Sequence, residues 1–433
     1  MQSDDMILVS VDDHLVEPPS MSDYFRDHFP QRYQDHVPTV ITRADGTDAW
    51  LIEGRQVDSF GLNAVAGRVR EEWGMEPGNF GEVRKGTWDI HERVRDMDAN
   101  GVLGSMCFSS WPGLGGQYFL QSGDHELAAS MIRAYNDWHI EEWAGAAPGR
   151  FIPLALSGFM LGPDWMAGEI RRVAEKGCHA VSFHSDTHRF NELPDHHGEE
   201  WYPAWQACAD TDTVMVFHFG SSPTFMPRSP FDVLIHTMPF NTGVFASELL
   251  WSKAFRAFPT VKIALAEGGI GWMPYWLERA DYTYQRHSPW TGQNFGDMLP
   301  SQLWKGRVLG CFIDDFTGLR NRDLIGIENI AWECDYPHSD CTWPTAPEDI
   351  WKSLQAAQCT DAEIDKITWE NACRFYSFDP FEHRTREECT VGALRANALD
   401  VDTVAKSFGK RSSGAPVGGL AALADRQDTE PST

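Results

Sequence analysis

The sequence predicts an α/β protein folded as a (β/α)8 TIM barrel with inserted cap segments, and three observations carry that prediction. Eight short apolar runs recur along 433 residues, at Met6–Val11, Val102–Phe108, Phe151–Ser157, His179–His184, Val214–Phe219, Val261–Ala266, Val308–Ile313 and Asn329–Cys334. Their length and β-branched content suit buried strands. Several are followed by amphipathic stretches of helical spacing, such as Glu126–Ala144 and Asp164–Lys176, and alternating strand and helix implies a parallel sheet. Finally, several runs end at or lead directly into His, Asp or Glu, and in a barrel of this type the C-terminal strand ends carry the chemistry.

The first run leads directly into Asp12-Asp13-His14. Side chains alternate along a strand, so Asp12 and His14 share one face and Asp13 takes the other. An oxygen and a nitrogen ligand side by side can hold one divalent metal. The long segment from Glu17 to about Asp98 is rich in Pro, Gly and aromatics, including Pro18-Pro19, Trp50, Phe60, Trp73 and Phe80. That aromatic content argues against disorder, and we expect a cap at 17–98 over the barrel mouth. Further insertions are expected at 220–258 and 276–305. Residues 1–411 then form a single barrel domain, and the Ser/Gly/Ala/Pro/Asp-rich stretch 412–433 is an expected mobile tail.

The remaining strand ends supply further candidates. His218 closes the fifth run and would face the mouth beside the first pair. Asp335 closes the eighth and suits a ligand, a general base or both. Glu267 follows the sixth run and opens Glu267-Gly268-Gly269, where the glycines permit close backbone approach; a carboxylate there suits acid/base work. His184, at the end of the fourth run, is a candidate substrate contact.

Composition excludes some classes. A net charge of −27 argues against nucleic-acid and anionic-membrane partners, which require basic patches. Nine scattered cysteines without a CxxC pair read as reduced core residues of a cytoplasmic protein. No leader with a basic and then an apolar region is visible at the N-terminus, and no apolar stretch approaches the ~20 residues of a membrane span.

Taken together, Val11-Asp12-Asp13-His14-Leu15-Val16-Glu17-Pro18, Arg95-Asp96-Met97-Asp98-Ala99-Asn100-Gly101-Val102, Pro148-Gly149-Arg150-Phe151, Val216-Phe217-His218, the Glu-Gly-Gly stretch and Asp335-Tyr336-Pro337-His338 resemble the amidohydrolase superfamily. The resemblance is to the branch related to aminocarboxymuconate semialdehyde decarboxylase, and it runs from about Met6 to Phe378. It implies a distorted (β/α)8 barrel holding one divalent metal, with Zn²⁺ and Mn²⁺ first by family precedent, and hydrolysis or non-oxidative decarboxylation as the reaction. By motif, the ligands fall on Asp12, His14, His218 and Asp335. Relatives carry His-x-His or Glu-x-His at the first strand, so Asp12 departs modestly. No lysine ends the fourth run, which favours a mononuclear site. At the sixth strand relatives read His-Gly-Gly, with that His as acid/base; here the residue is Glu267. Relatives form dimers, so a homodimer is expected.

Charge guides the choice of reaction. Asp12, Asp335 and Glu267 together would contribute −3 against +2 from a metal, which disfavours a substrate carboxylate unless an arginine compensates. Arg68 and Arg84, in the cap, are candidates. The sequence therefore leads to metal-dependent hydrolysis of a small neutral or cyclic, aromatic substrate, with Asp335 or Glu267 moving the proton and His184 or His338 steadying the developing oxyanion. Non-oxidative decarboxylation of an aromatic or enoic acid is the alternative on the same fold. A non-catalytic small-molecule-binding barrel is the alternative of a different class.

Overall fold

The structure, a computed structural model, describes residues 1–57, 61–74, 78–120, 123–185, 187, 193–219 and 231–409. Twelve strands are formed among them: β1 (Val9–His14), β2 (Thr39–Thr42), β3 (Asp48–Ile52), β4 (Arg55–Val57), β5 (Gly104–Phe108), β6 (Phe151–Ile152), β7 (Ala155–Leu156), β8 (Ala180–Ser182), β9 (Val214–His218), β10 (Ile263–Ala266), β11 (Val308–Phe312) and β12 (Ile330–Trp332). Every apolar run singled out in the sequence becomes a strand of one parallel system.

That system is a distorted α/β barrel. Strands β1, β5 and β6 pair in one parallel sheet, and β7 to β12 pair consecutively in another. The chain changes sheet within a single apolar run: β6 pairs with β5 and β7 pairs with β8. Pro153 lies in the break, and without an N–H it cannot continue a ladder. On the opposite side, closure uses two isolated backbone bonds, Asp335 N–H to the Asp12 carbonyl and His14 N–H to the Tyr336 carbonyl, each 2.7 Å.

Alternation sorts the side chains. Val9, Val11, Val214, Val216, Ala264, Ala266, Leu309 and Cys311 fill the barrel interior, whereas Met215, Phe217, Ile263 and Leu265 pack outward under the helices. His218 shares the inward parity of Val214 and Val216. In β1 the register with β5 shifts between Ser10 and Asp13. A bulge of this kind re-aims side chains, and it allows Val11 and Asp12 both to face the interior, with His14 following on the same side.

Between β1 and β5 the chain carries an antiparallel sheet in the order β2-β3-β4, an element the irregular composition of 17–98 does not announce. The helix Ile90–Asn100 then returns to the barrel, capped by Asp89, which accepts the N–H of His91 and Glu92, and ended by Gly101 at φ 71°. The helix expected at Glu126–Ala144 is regular over His125–Trp138 and widens over His139–Ala144. The insertion expected at 220–258 contains the helices Phe231–Trp251 and Lys253–Ala257; its first part, like the tail 412–433 and the boundary at 411, lies outside the described residues. All nine cysteines are free thiols. No helix among the described residues is long and apolar enough to cross a membrane.

Candidate metal centre

Four strand ends meet at the C-terminal mouth of the barrel. The His14 and His218 Nε2 atoms face each other at 3.1 Å. Asp12 lies 3.5 Å from His14 Nε2 through Oδ1 and 3.2 Å from His218 Nε2 through Oδ2. Asp335 Oδ1 lies 3.5 Å from His14 Nε2 and 3.0 Å from His338 Nδ1. Glu267 Oε2 is 3.4 Å from His218 Nε2. These separations match the edges of a coordination polyhedron whose ligands sit ~2.0–2.2 Å from one ion.

The donor chemistry fits a divalent cation independently of those distances. Asp12 and Asp335 are completely buried, and none of their four carboxylate oxygens has a hydrogen-bond donor. A buried carboxylate without a donor or counter-charge costs several kcal/mol; a cation between them offsets that cost. His218 Nδ1 is 2.5 Å from the Phe219 carbonyl. Placing the ring proton there leaves the Nε2 lone pair aimed into the cluster, as metal-binding imidazoles require.

Electrostatics within this group are mutually opposed. Burial, reinforced by the Asp335 and Asp13 charges, raises the Asp12 carboxyl well above its usual range. Burial, then Asp335 and Asp12, does the same to Glu267. Burial and the neighbouring imidazoles hold His14 well below the ordinary histidine value, and burial lowers His218. The two imidazoles are thereby kept neutral, the form that ligates metal.

The backbone at the mouth is unusual. Glu267 and Asp335 adopt left-handed conformations, at φ 53° and 58°, which non-glycine residues adopt at a cost of about 1 kcal/mol or more. Both are held by specific contacts. The Glu267 N–H lies 3.1 Å from both carboxylate oxygens of Glu333. Asp315 accepts the N–H groups of Ile270 and Gly271 at 2.8 and 2.5 Å and that of Gly318 at 2.8 Å, anchoring the loop after Glu267. Asp13, facing away from the metal side, accepts Tyr336 N–H at 2.9 Å as well as the Ser105 hydroxyl. Burial, partly opposed by Arg93 and Ser105, pushes Asp13 up to about 6. Arg93 donates to the His14 carbonyl and lies 4.4 Å from the Tyr336 ring centroid.

The sequence-derived candidates are therefore brought together unequally. Asp12, His14, His218, Asp335, Glu267 and His338 form one cluster, with the His338 ring stacked on His14 at 3.8 Å. His184 is buried just past β8, its ring 5.2 Å from Phe159. Arg68 is buried in the cap, 3.9 Å from Glu72, 3.7 Å from Glu82 and 5.3 Å from the Phe408 ring. Arg84 forms a two-point pair with Asp96 at 2.7 Å and lies 4.1 Å from the Trp343 ring centroid. The sequence offers no role for Glu333, Asp315 or Arg93, and of Asp13 it gives only the face.

A mononuclear cation site built from strand-end carboxylates and imidazoles on a distorted α/β barrel defines a class of metal-dependent enzymes, and the comparisons place the chain within it. The amidohydrolase family model matches residues 36–378, and the protein belongs to that family. The match begins after Asp12 and His14, which the fold itself adds to the site. Solved structures share the fold. An amidohydrolase from Mycobacterium avium subsp. paratuberculosis aligns over 86% of this chain and 97% of its own, at 15% identity and TM-score 0.61. A manganese complex of 5-carboxyvanillate decarboxylase from Novosphingobium aromaticivorans aligns over 87% and 99%, at 20% identity and TM-score 0.58. A manganese-bound dihydroxybenzoic acid decarboxylase from Polaromonas aligns over 88% and 98%, at 18% identity and TM-score 0.54.

Proposed function

We propose that this protein is a non-oxidative decarboxylase of a small aromatic acid, dependent on one divalent ion held by Asp12, His14, His218 and Asp335, with Mn²⁺ ahead of Zn²⁺. The observation that carries the metal is the pair of fully buried carboxylates with four unpartnered oxygens beside two facing imidazoles. The choice of reaction is supported by the two manganese-containing decarboxylases of the same fold. It replaces hydrolysis, the reaction to which charge balance led in the sequence; decarboxylation was the alternative there.

Held by Asp12, His14, His218 and Asp335, a divalent ion would supply positive charge to offset the site's carboxylates and to balance an anionic substrate. The chain's own groups do the rest. Phe108, with its ring 5.6 Å from His14 and 4.8 Å from His218, supplies a flat apolar wall suited to an aryl ring. Asp335 or Glu267, in its acid form, delivers a proton to the ring carbon bearing the carboxylate. The C–C bond then breaks, its electron pair restores the aromatic ring, carbon dioxide leaves, and solvent returns the proton to the acid. His338, 3.0 Å from Asp335, orients that carboxyl, and His184 is assigned to substrate contact. Arg68 faces Glu72 and Glu82, so no role opposite the substrate carboxylate is assigned to it. A homodimer in the cytoplasm completes the proposal, with nine free thiols supporting a reducing compartment.

The test is a panel of hydroxylated aryl acids with metal-free and Mn²⁺-loaded enzyme, read by carbon dioxide release. Release that requires metal and falls ~10²–10⁴-fold in Asp335→Asn is expected. Hydrolysis of amides, lactones or imides without carbon dioxide release would restore the hydrolase reading.

A further inference from the structure

We infer that the protein carries a second divalent-metal site, outside the barrel, formed by Asp195, His196, His197 and Glu248. The first three lie between β8 and the helix Tyr202–Thr211, and Glu248 lies on the helix Phe231–Trp251. His196 Nδ1 and His197 Nε2 are each 3.4 Å from Asp195 Oδ1, and His197 Nε2 is 3.7 Å from Glu248 Oε2. The two rings are 3.8 Å apart.

These distances are too long for charge-assisted hydrogen bonds, which close to about 2.7–2.9 Å. The two 3.4 Å spacings to Asp195 fall instead within the 3.1–3.5 Å donor spacings among Asp12, His14, His218 and Asp335, and the Glu248 spacing is slightly longer. Ligand atoms from Asp195, His196 and His197 lie within 4.8 Å of one another, as do those of Asp12, His14 and His218, and those of His14, Asp335 and His338. The His197 Nδ1 atom is shielded from solvent and has no hydrogen-bond partner, so the ring is free to present its other nitrogen as a ligand. Two imidazoles and two carboxylates balance a doubly charged ion and suit Zn²⁺ or a neighbouring first-row ion better than Mg²⁺ or Ca²⁺.

The site is built rather than accidental in its surroundings. Asp195 Oδ1 accepts the His197 N–H at 3.1 Å, and the preceding Pro194 carbonyl accepts from the Thr187 hydroxyl and from Trp201 Nε1. His196 is only 2% exposed and packs 5.4 Å from Phe245, which lies 4.3 Å from Phe217. Phe217 is the outward-facing neighbour of His218, so aromatic side chains separate this cluster from the barrel centre. An ion here would tie the segment before one barrel helix to the long helix that follows β9. Its role would be to fix that outer wall, whatever reaction the mouth performs.

Zn²⁺ titration of metal-free protein, followed by desalting and elemental analysis, tests the assignment. Two ions per chain are expected for the wild type and one for His197→Ala/Glu248→Ala, both substitutions falling on partly exposed side chains. His218→Ala should also retain one ion, and adding the double substitution should remove it. Circular dichroism checks folding; if the double variant is unfolded, the milder His197→Asn and Glu248→Gln must each show the same loss. Equal metal content in wild type and the outer-site variants overturns the second site and leaves the barrel centre untouched. Loss of both ions in His218→Ala alone overturns their independence.

Discussion

Glu17 offers a direct measurement of how burial acts on the segment that carries Asp12 and His14, the first two proposed metal ligands. Its carboxyl is completely buried, with Oε1 accepting from Ser110 N–H at 3.0 Å and from the Tyr135 hydroxyl at 3.1 Å, and Oε2 from Trp111 N–H at 3.3 Å. These bonds join the end of β1 to the end of β5, beside the Ser110 hydroxyl's bond to the Leu15 carbonyl. The three donors favour the ionised form, but burial outweighs them and pushes Glu17 from 4.5 up to about 8. The native state therefore holds a proton that the unfolded chain has released, and stability falls as pH rises through that interval. At 1.36 kcal/mol per pH unit, wild type should lose up to about 4 kcal/mol from this group between pH 5 and pH 8. Glu17→Gln keeps an acceptor oxygen and removes the titration. Paired thermal unfolding at pH 5, 6, 7 and 8 should show the variant gaining on wild type with each step upward. A difference that stays flat across those pH values refutes the argument: the three donors would then hold Glu17 ionised throughout, and burial would not be the dominant force on this segment.

Three further predictions concern the mouth and its support. Asp315→Ala frees three backbone N–H groups around the loop after Glu267, and a displacement of Glu267 by ~1 Å should lower kcat ~10²-fold with metal content unchanged; a kcat within threefold of wild type would show that the loop does not position Glu267. Asp12→Asn removes a buried acid and a proposed ligand together, so metal-free protein should unfold at the same temperature or higher, while the rise on adding Mn²⁺, worth ~4 kcal/mol at a thousandfold excess over Kd, should largely vanish; an undiminished rise would remove Asp12 from the ligand set. At Gly310 in β11 an added Cβ would meet Met273 Cε at 2.5 Å and Ile270 Cγ2 at 2.9 Å, so Gly310→Ala should cost ~1–3 kcal/mol in thermal or denaturant unfolding, and a neutral result would mean that Met273 swings clear.

The boundary between what could and could not be read in advance follows the range of the forces involved. A strand end is written locally: an apolar run fixes the strand, and the polar residue that closes it has little reason to be there except the mouth. That logic located Asp12, His14, His218, Glu267 and Asp335 before any contact was known. It also separated Asp13 from its neighbours by parity alone, although the reason parity survives is a bulge between Ser10 and Asp13 that no residue in the run announces. The supports are different in kind. Glu333, Asp315 and Arg93 act on residues 66, 45 and 79 positions away, and each looks in sequence like an ordinary acid or base. Arg68 shows the converse: an arginine in a predicted cap invited a role opposite a substrate carboxylate, and the fold surrounds it with Glu72 and Glu82. The sheet of β2 to β4 was hidden because its half-buried strands alternate over only a few residues each. Glu267 joins the two kinds of information. Family pattern expects histidine there, and the carboxylate that replaces it lies 3.4 Å from His218, close enough to store a proton beside the proposed metal ligands. The acid that histidine would have supplied can thus come from a buried carboxyl, whose burial favours its protonated form, and exchanging Glu267 for His should test whether position or charge is what the reaction requires: retained carbon dioxide release argues for position, and its loss with metal intact argues for the buried carboxyl.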